Sequence, residues 1–261
     1  MEKVKKILAI GNSFSEDGTY YLNSIGHNVG IQSKVVNLYI PGCTLRQHWQ
    51  NLNSNQALYR YELNGMYDLA KADLVEHLVR LQDVIQGEAW DDIILQQASH
   101  ESGFVRTYRP YCENIVNYLK TEVPGAKIWL QQTWAYESDS DHQAFKLYEH
   151  SQEVMFTKLR EAYQTIAAEL KLELIPTGSG IQALRQEEPF IYQMGGKSLC
   201  RDGYHLSFLA GRFCASLILA QALLKIDPQK VTYEPRSRFE PEGVLTAEEN
   251  KKIKAVVASI K

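Results

Sequence analysis

Apolar and polar positions follow a repeated two-part rhythm along the chain. Short apolar runs stand at 7–10, 35–40, 93–95, 128–130 and 172–175, and each is followed by a turn and a longer stretch compatible with a helix. A run that is apolar at nearly every position marks a strand buried on both faces, whereas recurrence every three to four residues marks a helix with one face on a core. Five such units in series predict an α/β fold in which a parallel sheet is covered by helices. Asp91-Asp92 ahead of the third run and Pro124-Gly125 ahead of the fourth supply the turns where a helix hands over to a strand.

The longest helical pattern covers about 141–170, with Phe145, Tyr148, Met155, Leu159, Ala162 and Ile166 on its core face. Ser207 is placed to cap a helix over 208–224, and Thr246, with Asn250 and Ile253 following, opens another amphipathic stretch that runs to the C-terminus. The segment 56–66 alternates less cleanly and ends in Asn64-Gly65, which predicts a hairpin inserted ahead of a helix over 71–85. No repeat or low-complexity linker interrupts the 261 residues, so 1–261 is expected to form one domain.

Composition narrows the function classes. Hydrophobic residues make up 44% and charged residues 23%, the balance of a chain that folds on its own. The net charge of -3 comes without a basic stripe, so the surface lacks the phosphate-neutralising character that a nucleic-acid partner requires. Cys43, Cys112, Cys200 and Cys214 lie far apart with no C-x-x-C pair, which argues for buried free thiols rather than a zinc ribbon or a redox dithiol. The basic start is followed by an apolar run too short for a signal-peptide core, and no stretch is long enough to cross a bilayer. A cytoplasmic protein with no membrane partner is therefore expected, or an exported one if a leader has been removed upstream.

In open α/β sheets ligands bind beyond the carboxyl ends of the strands, so the turns after the apolar runs are where chemistry is to be sought. The first is Gly11-Asn12-Ser13-Phe14-Ser15-Glu16-Asp17-Gly18, whose small residues permit a tight turn that presents the Ser13 hydroxyl at the start of a helix. Alone, Ser13 reads more readily as a helix cap, which is what most serines in a strand-to-helix turn are. Near the other end, Arg201-Asp202-Gly203-Tyr204-His205 places a carboxylate three residues before an imidazole. A serine hydroxyl hardly ionises near neutrality and needs a base, and the base needs a carboxylate to fix its tautomer, so Ser13, His205 and Asp202 together form a candidate catalytic set. After the second run, Gly42 lets a backbone N–H approach a substrate as an oxyanion donor must, although a plain turn glycine has the same appearance. After the third run, the carboxamides of Gln97, or alternatively Gln96, are candidates for a further donor. Asp139, Asp141 and His142 sit in a polar loop before a helix and read as capping residues rather than metal ligands. His27, His48, His77, His142 and His150 read as surface residues.

Taken together, Gly11-Asn12-Ser13, the isolated Gly42, the Gln96-Gln97-Ala98-Ser99 turn and Asp202-Gly203-Tyr204-His205 resemble the blocks of the SGNH, or GDSL-type, hydrolases over about residues 5–225. Two positions depart from that pattern: Asn12 stands where the family usually has Asp, and Gln96-Gln97-Ala98-Ser99 replaces the customary Gly-x-Asn-Asp. A Gln in the latter block is similar to that of carbohydrate-directed acetylesterase branches. The resemblance implies a three-layer, flavodoxin-like fold with a five-stranded parallel sheet of order 2-1-3-4-5. It also implies ester hydrolysis through an acyl-enzyme, with Ser13 N–H, Gly42 N–H and a Gln amide holding the oxyanion and with no metal or organic cofactor. α/β-Hydrolases match less well, because they carry G-x-S-x-G after a middle strand, and here Ser15 follows Phe14.

The expected substrate is a small-molecule or carbohydrate ester, with removal of a small acyl group such as acetyl. Trp134 and Tyr136 after the fourth run offer faces for a sugar ring, or else are core aromatics. His100 beside Glu101 lies at a strand end, and Tyr20, Tyr21, Tyr59 and Tyr61 are placed to line the same cleft. The alternatives are a lipase, thioesterase or arylesterase with the same three residues, or a non-catalytic carbohydrate-binding protein of the same fold. A nucleotide binder is disfavoured because no G-x-G-x-x-G or Walker loop is present.

Overall fold

The computed structural model describes residues 3–65, 78–237 and 243–260. The first half of the chain runs β1 (Lys5–Gly11), α1 (Ser13–Thr19), α2 (Leu22–Asn28), β2 (Ser33–Tyr39), α3 (Leu45–Ser54), β3 (Ala57–Leu63), β4 (Val79–Arg80) and α4 (Leu81–Gln86). It continues through β5 (Asp92–Leu95), α5 (Val105–Tyr108), α6 (Tyr111–Glu122), β6 (Lys127–Gln131), α7 (Gln152–Leu170), β7 (Glu173–Ile175), α8 (Thr177–Leu184), α9 (Ala210–Leu224) and α10 (Ala247–Ser259).

Among the described residues the sheet has seven strands in the order β4-β3-β2-β1-β5-β6-β7. The five expected strands are β2, β1, β5, β6 and β7, which pair in parallel and in the expected order. The expected count is corrected by β3 and β4, which extend the sheet beyond β2 in antiparallel pairing. The segment 56–66 is therefore not a self-contained hairpin; its Ala57–Leu63 strand pairs back onto β2. Only part of β3 is buried, which is why its pattern lacks the continuous apolar run of a central strand. Of the helix expected over 71–85, residues 71–77 lie outside the described residues, and Leu81–Gln86 is helical.

Successive side chains of a strand point to opposite faces, and β1 divides accordingly. Ile7 and Ala9 join a core with residues of α2, α8, α9 and α10, while Leu8 and Ile10 join a second core with residues of α3, α4 and α6. Helix α7 reaches both, through Met155 and Leu159 on one side and Ala162, Tyr163 and Ile166 on the other. The sheet is thus the middle of three layers.

The single helix expected over about 141–170 is two elements. A 3-10 turn at Gln143–Tyr148 is separated from α7 by Glu149 and His150, both at positive φ. Ser151 then caps α7 by accepting a hydrogen bond from Val154 N. Helix α9 starts at Ala210, and Ser207 accepts from Gly211 N at 2.9 Å. Thr246 caps α10 in a reciprocal arrangement with Glu249. All four cysteines are buried free thiols.

Candidate active site

The carboxyl ends of β1, β2 and β5 are tied together by one side chain, Asn12. It has extended backbone geometry, and its Oδ1 accepts from Phe14 N at 3.0 Å, which caps α1 and makes Ser13 the first residue of that helix. The same oxygen accepts from Gln96 Nε2 at 2.9 Å, and Asn12 Nδ2 donates to Cys43 O at 3.0 Å. Asn12 is 2% exposed, so these contacts hold Ser13 at a fixed height above the sheet.

The partner of Ser13 comes from a loop closed on itself between Cys200 and Leu206, which form an isolated antiparallel bridge. Gly203 makes the turn possible: its φ is +82°, and a Cβ there would come within 3.0 Å of the Ser140 backbone. Asp202 Oδ1 accepts from His205 N at 2.8 Å and from Tyr204 N at 3.3 Å. Its second oxygen lies 2.7 Å from His205 Nδ1. His205 Nε2 lies 2.8 Å from Ser13 Oγ, joining side chains 192 residues apart in the chain. A carboxylate at Nδ1 keeps the proton there, so Nε2 is the nitrogen that accepts from the Ser13 hydroxyl. Burial pushes the Asp202 carboxyl up, but hydrogen bonds from the His205 ring and backbone outweigh it and hold this group below the usual carboxylate range.

Asp17, one helical turn beyond Ser13, docks the two segments on each other. Its carboxylate is fully buried and accepts from Leu206 N at 2.8 Å, from Arg201 Nη1 at 3.0 Å and from Arg212 Nε at 2.7 Å. Arg201 and Leu206 flank the Asp202–His205 pair, so this buried carboxylate links the helix bearing Ser13 to the loop bearing the imidazole. Nothing in the sequence singles out Asp17 beyond its i+4 spacing from Ser13 on α1.

Ser13 and His205 open on a crevice of about 240 Å³ whose other walls include Tyr39, Gly42, Ser99, His100, His142 and Tyr204. Gly42 has a φ of +59°, with open space where a Cβ would stand, so its backbone can turn toward the crevice. His100 is at the crevice as expected. His142, expected at the surface, is there too: its Nδ1 accepts from Ala144 N at 3.1 Å and its ring lies 4.8 Å from that of Tyr204.

Several expected residues are elsewhere. Gln97 is fully buried; its amide donates to Thr107 O at 3.0 Å, and its oxygen accepts from Leu45 N at 2.9 Å, so it does not face the crevice. Gln96 spends its amide on Asn12. The polar group that this turn does present is Ser99, whose Oγ lies 3.0 Å from Tyr136 Oη. Trp134 is fully buried, stacks on Phe14 at 4.2 Å and donates to Tyr204 O, so it supports the site from beneath instead of meeting substrate. Tyr136, Tyr21 and Tyr59 are buried as well, and Tyr20 lines a neighbouring cavity rather than this crevice. His48 is fully buried against Tyr59 Oη at 2.8 Å, and burial pushes its pKa down to about 3. No group of His, Cys, Asp and Glu side chains among the described residues is arranged to hold a metal ion, and no described helix is long and apolar enough to cross a membrane.

A parallel sheet with this strand order, a serine at the end of its first strand and a late Asp-x-x-His loop folded back onto that serine have the fold of the SGNH hydrolases. The chain belongs to the DUF4886 family, described as a domain of unknown function, whose model matches residues 6–252. It is similar to a DUF4886 family protein from Bacteroides uniformis, with 29% identity over 98% of this chain and 94% of that one and a TM-score of 0.82. It shares its fold with a proposed SGNH hydrolase from Slackia heliotrinireducens, at 19% identity, 84% and 98% coverage and a TM-score of 0.55. A lipase/acylhydrolase from Enterococcus faecalis has the same fold at 15% identity, with 84% and 95% coverage and a TM-score of 0.52. No curated protein matches the sequence closely.

Proposed function

We propose that this protein is a serine ester hydrolase that removes a small acyl group, acetyl in the first instance, from a carbohydrate or related alcohol. The observation that carries the reading is the unbroken chain Ser13 Oγ–His205 Nε2 at 2.8 Å and His205 Nδ1–Asp202 Oδ2 at 2.7 Å. Ser13 Oγ attacks the ester carbonyl carbon while His205 Nε2 takes the hydroxyl proton, and Asp202 stabilises the resulting imidazolium. The carbonyl electron pair moves to oxygen, where the N–H groups of Ser13 and Gly42 receive it, and the Ser99 hydroxyl faces the same space. Collapse of the tetrahedral adduct breaks the bond to the alcohol oxygen, which leaves with the proton from His205. Water then attacks the acyl-serine with His205 again as base, the carboxylic acid departs, and Ser13 regains its proton.

The size of the crevice supports a short acyl group. About 240 Å³ must hold the reacting carbonyl together with the groups on either side, a space better matched to a short acyl group than to a long alkyl chain. The test is hydrolysis of p-nitrophenyl acetate, butyrate and octanoate by the wild type and by Ser13→Ala. The acetyl ester is expected to be cleaved best, by a margin of ~10-fold or more per two methylenes added, and Ser13→Ala to be inactive. Equal or rising turnover toward octanoate would turn the reading to a lipase.

One observation favours a second reading, a non-catalytic carbohydrate binder. The amides expected as a third oxyanion donor are both committed inside the protein. That reading predicts saturable sugar binding with no ester turnover and no reaction of Ser13 with a fluorophosphonate.

A further inference from the structure

Beside the crevice lies a second cavity of about 280 Å³ between α1, β2 and β3, and Tyr39 lines both. Its walls carry an uncommon density of charge for a half-enclosed space. Glu62 and Arg212 are almost fully buried, with side chains 4% and 3% exposed, and Arg60 and Glu16 are half-buried. The fixed charges largely cancel: Arg60 Nε donates to Glu62 Oε1 at 2.9 Å, and Arg212 Nε donates to Asp17 Oδ1 at 2.7 Å. Each guanidinium also stacks on a phenol ring, Arg60 on Tyr39 at 3.9 Å and Arg212 on Tyr20 at 4.2 Å, which stiffens the walls.

Glu16 completes the set differently. Its carboxylate approaches Arg60 and Arg212 no closer than 3.6 Å, beyond direct hydrogen-bonding distance, so its oxygens keep room for a donor from the cavity. Burial, with Glu62 and Asp17 nearby, also pushes this carboxyl up to about 7, so near neutrality it exists in both donor-bearing and acceptor-only forms. Glu16 stands three residues after Ser13 on α1, a spacing that puts their Cβ atoms about 5–6 Å apart. The cavity is therefore one helical turn from the reactive hydroxyl.

We infer that this cavity is the subsite for the alcohol half of the ester, and that it takes a single neutral, polyhydroxylated ring, a monosaccharide unit, through Glu16, Arg60, Asn37 and the walls formed by Tyr20 and Tyr39. The inference rests on the proposed ester hydrolysis at Ser13 and adds the identity of the leaving group. Arg60 and Arg212 already face the Glu62 and Asp17 carboxylates, so the walls do not call for an anionic ligand, and the charged sugars of the test decide whether Glu16 selects a cation instead. Hydroxyl groups, by contrast, donate to a carboxylate and accept from a guanidinium at the same time. The volume lies at the lower edge of small-molecule sites, roughly 300–1,000 Å³, and so suits one ring rather than an oligomer.

The test is direct binding, independent of turnover. Methyl glycosides, methyl glucuronide and glucosamine are titrated into the full chain by NMR or calorimetry, for the wild type, Glu16→Gln and Arg60→Met, alongside fluorophosphonate labelling of Ser13. Expected are saturable binding of a neutral methyl glycoside at millimolar concentration, weakening by ~10-fold or more in each variant, and no comparable binding of the charged sugars. The two substitutions lie on different elements, and a thermal melt of each identifies a variant that fails to fold, in which case the other decides. Absence of glycoside binding alongside normal Ser13 labelling overturns the subsite and leaves the hydrolase reading standing. Glycoside binding lost in the variants, with no labelling at Ser13, supports a monosaccharide site in this cavity but overturns the hydrolase reading and, with it, the cavity's part as the alcohol subsite. Binding that neither variant changes overturns the subsite.

Discussion

The carboxylate of Asp17 accepts a hydrogen bond from the backbone N–H of Leu206 at 2.8 Å, 189 residues later in the chain. Because Ser13 precedes Asp17 by one helical turn and His205 precedes Leu206 by one residue, this bond sets how the hydroxyl meets the imidazole. The same carboxylate pairs with both Arg201 and Arg212, so it has a structural part and a positional role together.

Asp17→Asn is expected to separate those roles. Removing the nearer carboxylate from the buried Arg212 guanidinium, with only Glu16 left beside it at 3.6 Å, costs at most about 3–5 kcal/mol in unfolding free energy. Among molecules that remain folded, kcat toward p-nitrophenyl acetate falls by ~10-fold or more while KM changes little, because the lost contact aligns the reacting groups rather than binding substrate. Loss of stability with unchanged kcat would limit Asp17 to a structural part.

Asp202→Asn removes the acceptor at His205 Nδ1 and allows the ring to turn to the wrong tautomer. A drop in kcat of ~10²–10⁴-fold is expected, within the range for loss of general-base assistance. The depressed Asp202 pKa means that the group stays ionised through the neutral range and loses its charge only in acid. Wild-type activity should therefore show no inflection from Asp202 above pH 5, which a pH profile of kcat/KM checks.

Gly42→Ala adds a side chain where space is open, so the cost falls on the backbone, held at a φ of +59°. About 1–2 kcal/mol of stability is expected to be lost, with kcat reduced as the backbone donor shifts. Complete removal of an oxyanion donor costs about 10²–10³, and this displacement should cost less than that. Unchanged kcat in a destabilised protein would remove Gly42 from the site.

Much of this arrangement was legible in the sequence because the physics there is local. β1, β2, β5 and β6 are mostly buried, and their apolar runs record it, while β7 at the sheet edge buries only Ile175. Ser13, Asp202 and His205 stand out because the chemistry needs those residue types at strand and loop ends. The strand β3 was missed as a sheet member because pairing with β2 is set by neighbours distant in sequence. The break at Glu149 and His150 was hidden because apolar spacing continues in phase across the 3-10 turn and α7. Gln97, Trp134 and Tyr136 share strand ends with the site, but one residue of chain direction decides whether a side chain faces crevice or core. His48 and His142 were read as surface for the same reason: burial is a property of packing rather than of residue type.

Glu16 gives a pH signature of its own. Its folded pKa of about 7 lies above the ordinary 4.5, because burial and the Glu62 and Asp17 carboxylates disfavour its charge. A raised carboxyl pKa makes the charged form costlier in the folded state, so the associated stability is present below about pH 4.5 and is lost as pH rises toward 7. Glu16→Gln removes this dependence. The variant's unfolding free energy relative to the wild type should rise between pH 4 and pH 8, measured in urea. An equal difference at both pH values would mean that Glu16 titrates normally.

The proposed hydrolysis depends most on activation of Ser13 by His205, and reaction with a fluorophosphonate reads that activation directly. Mass spectrometry of the labelled wild-type protein should locate the adduct on Ser13, with the labelling rate reduced by ~10²–10⁴-fold in His205→Ala and no adduct in Ser13→Ala. An adduct on another residue, or a Ser13 rate indifferent to loss of His205, would contradict it.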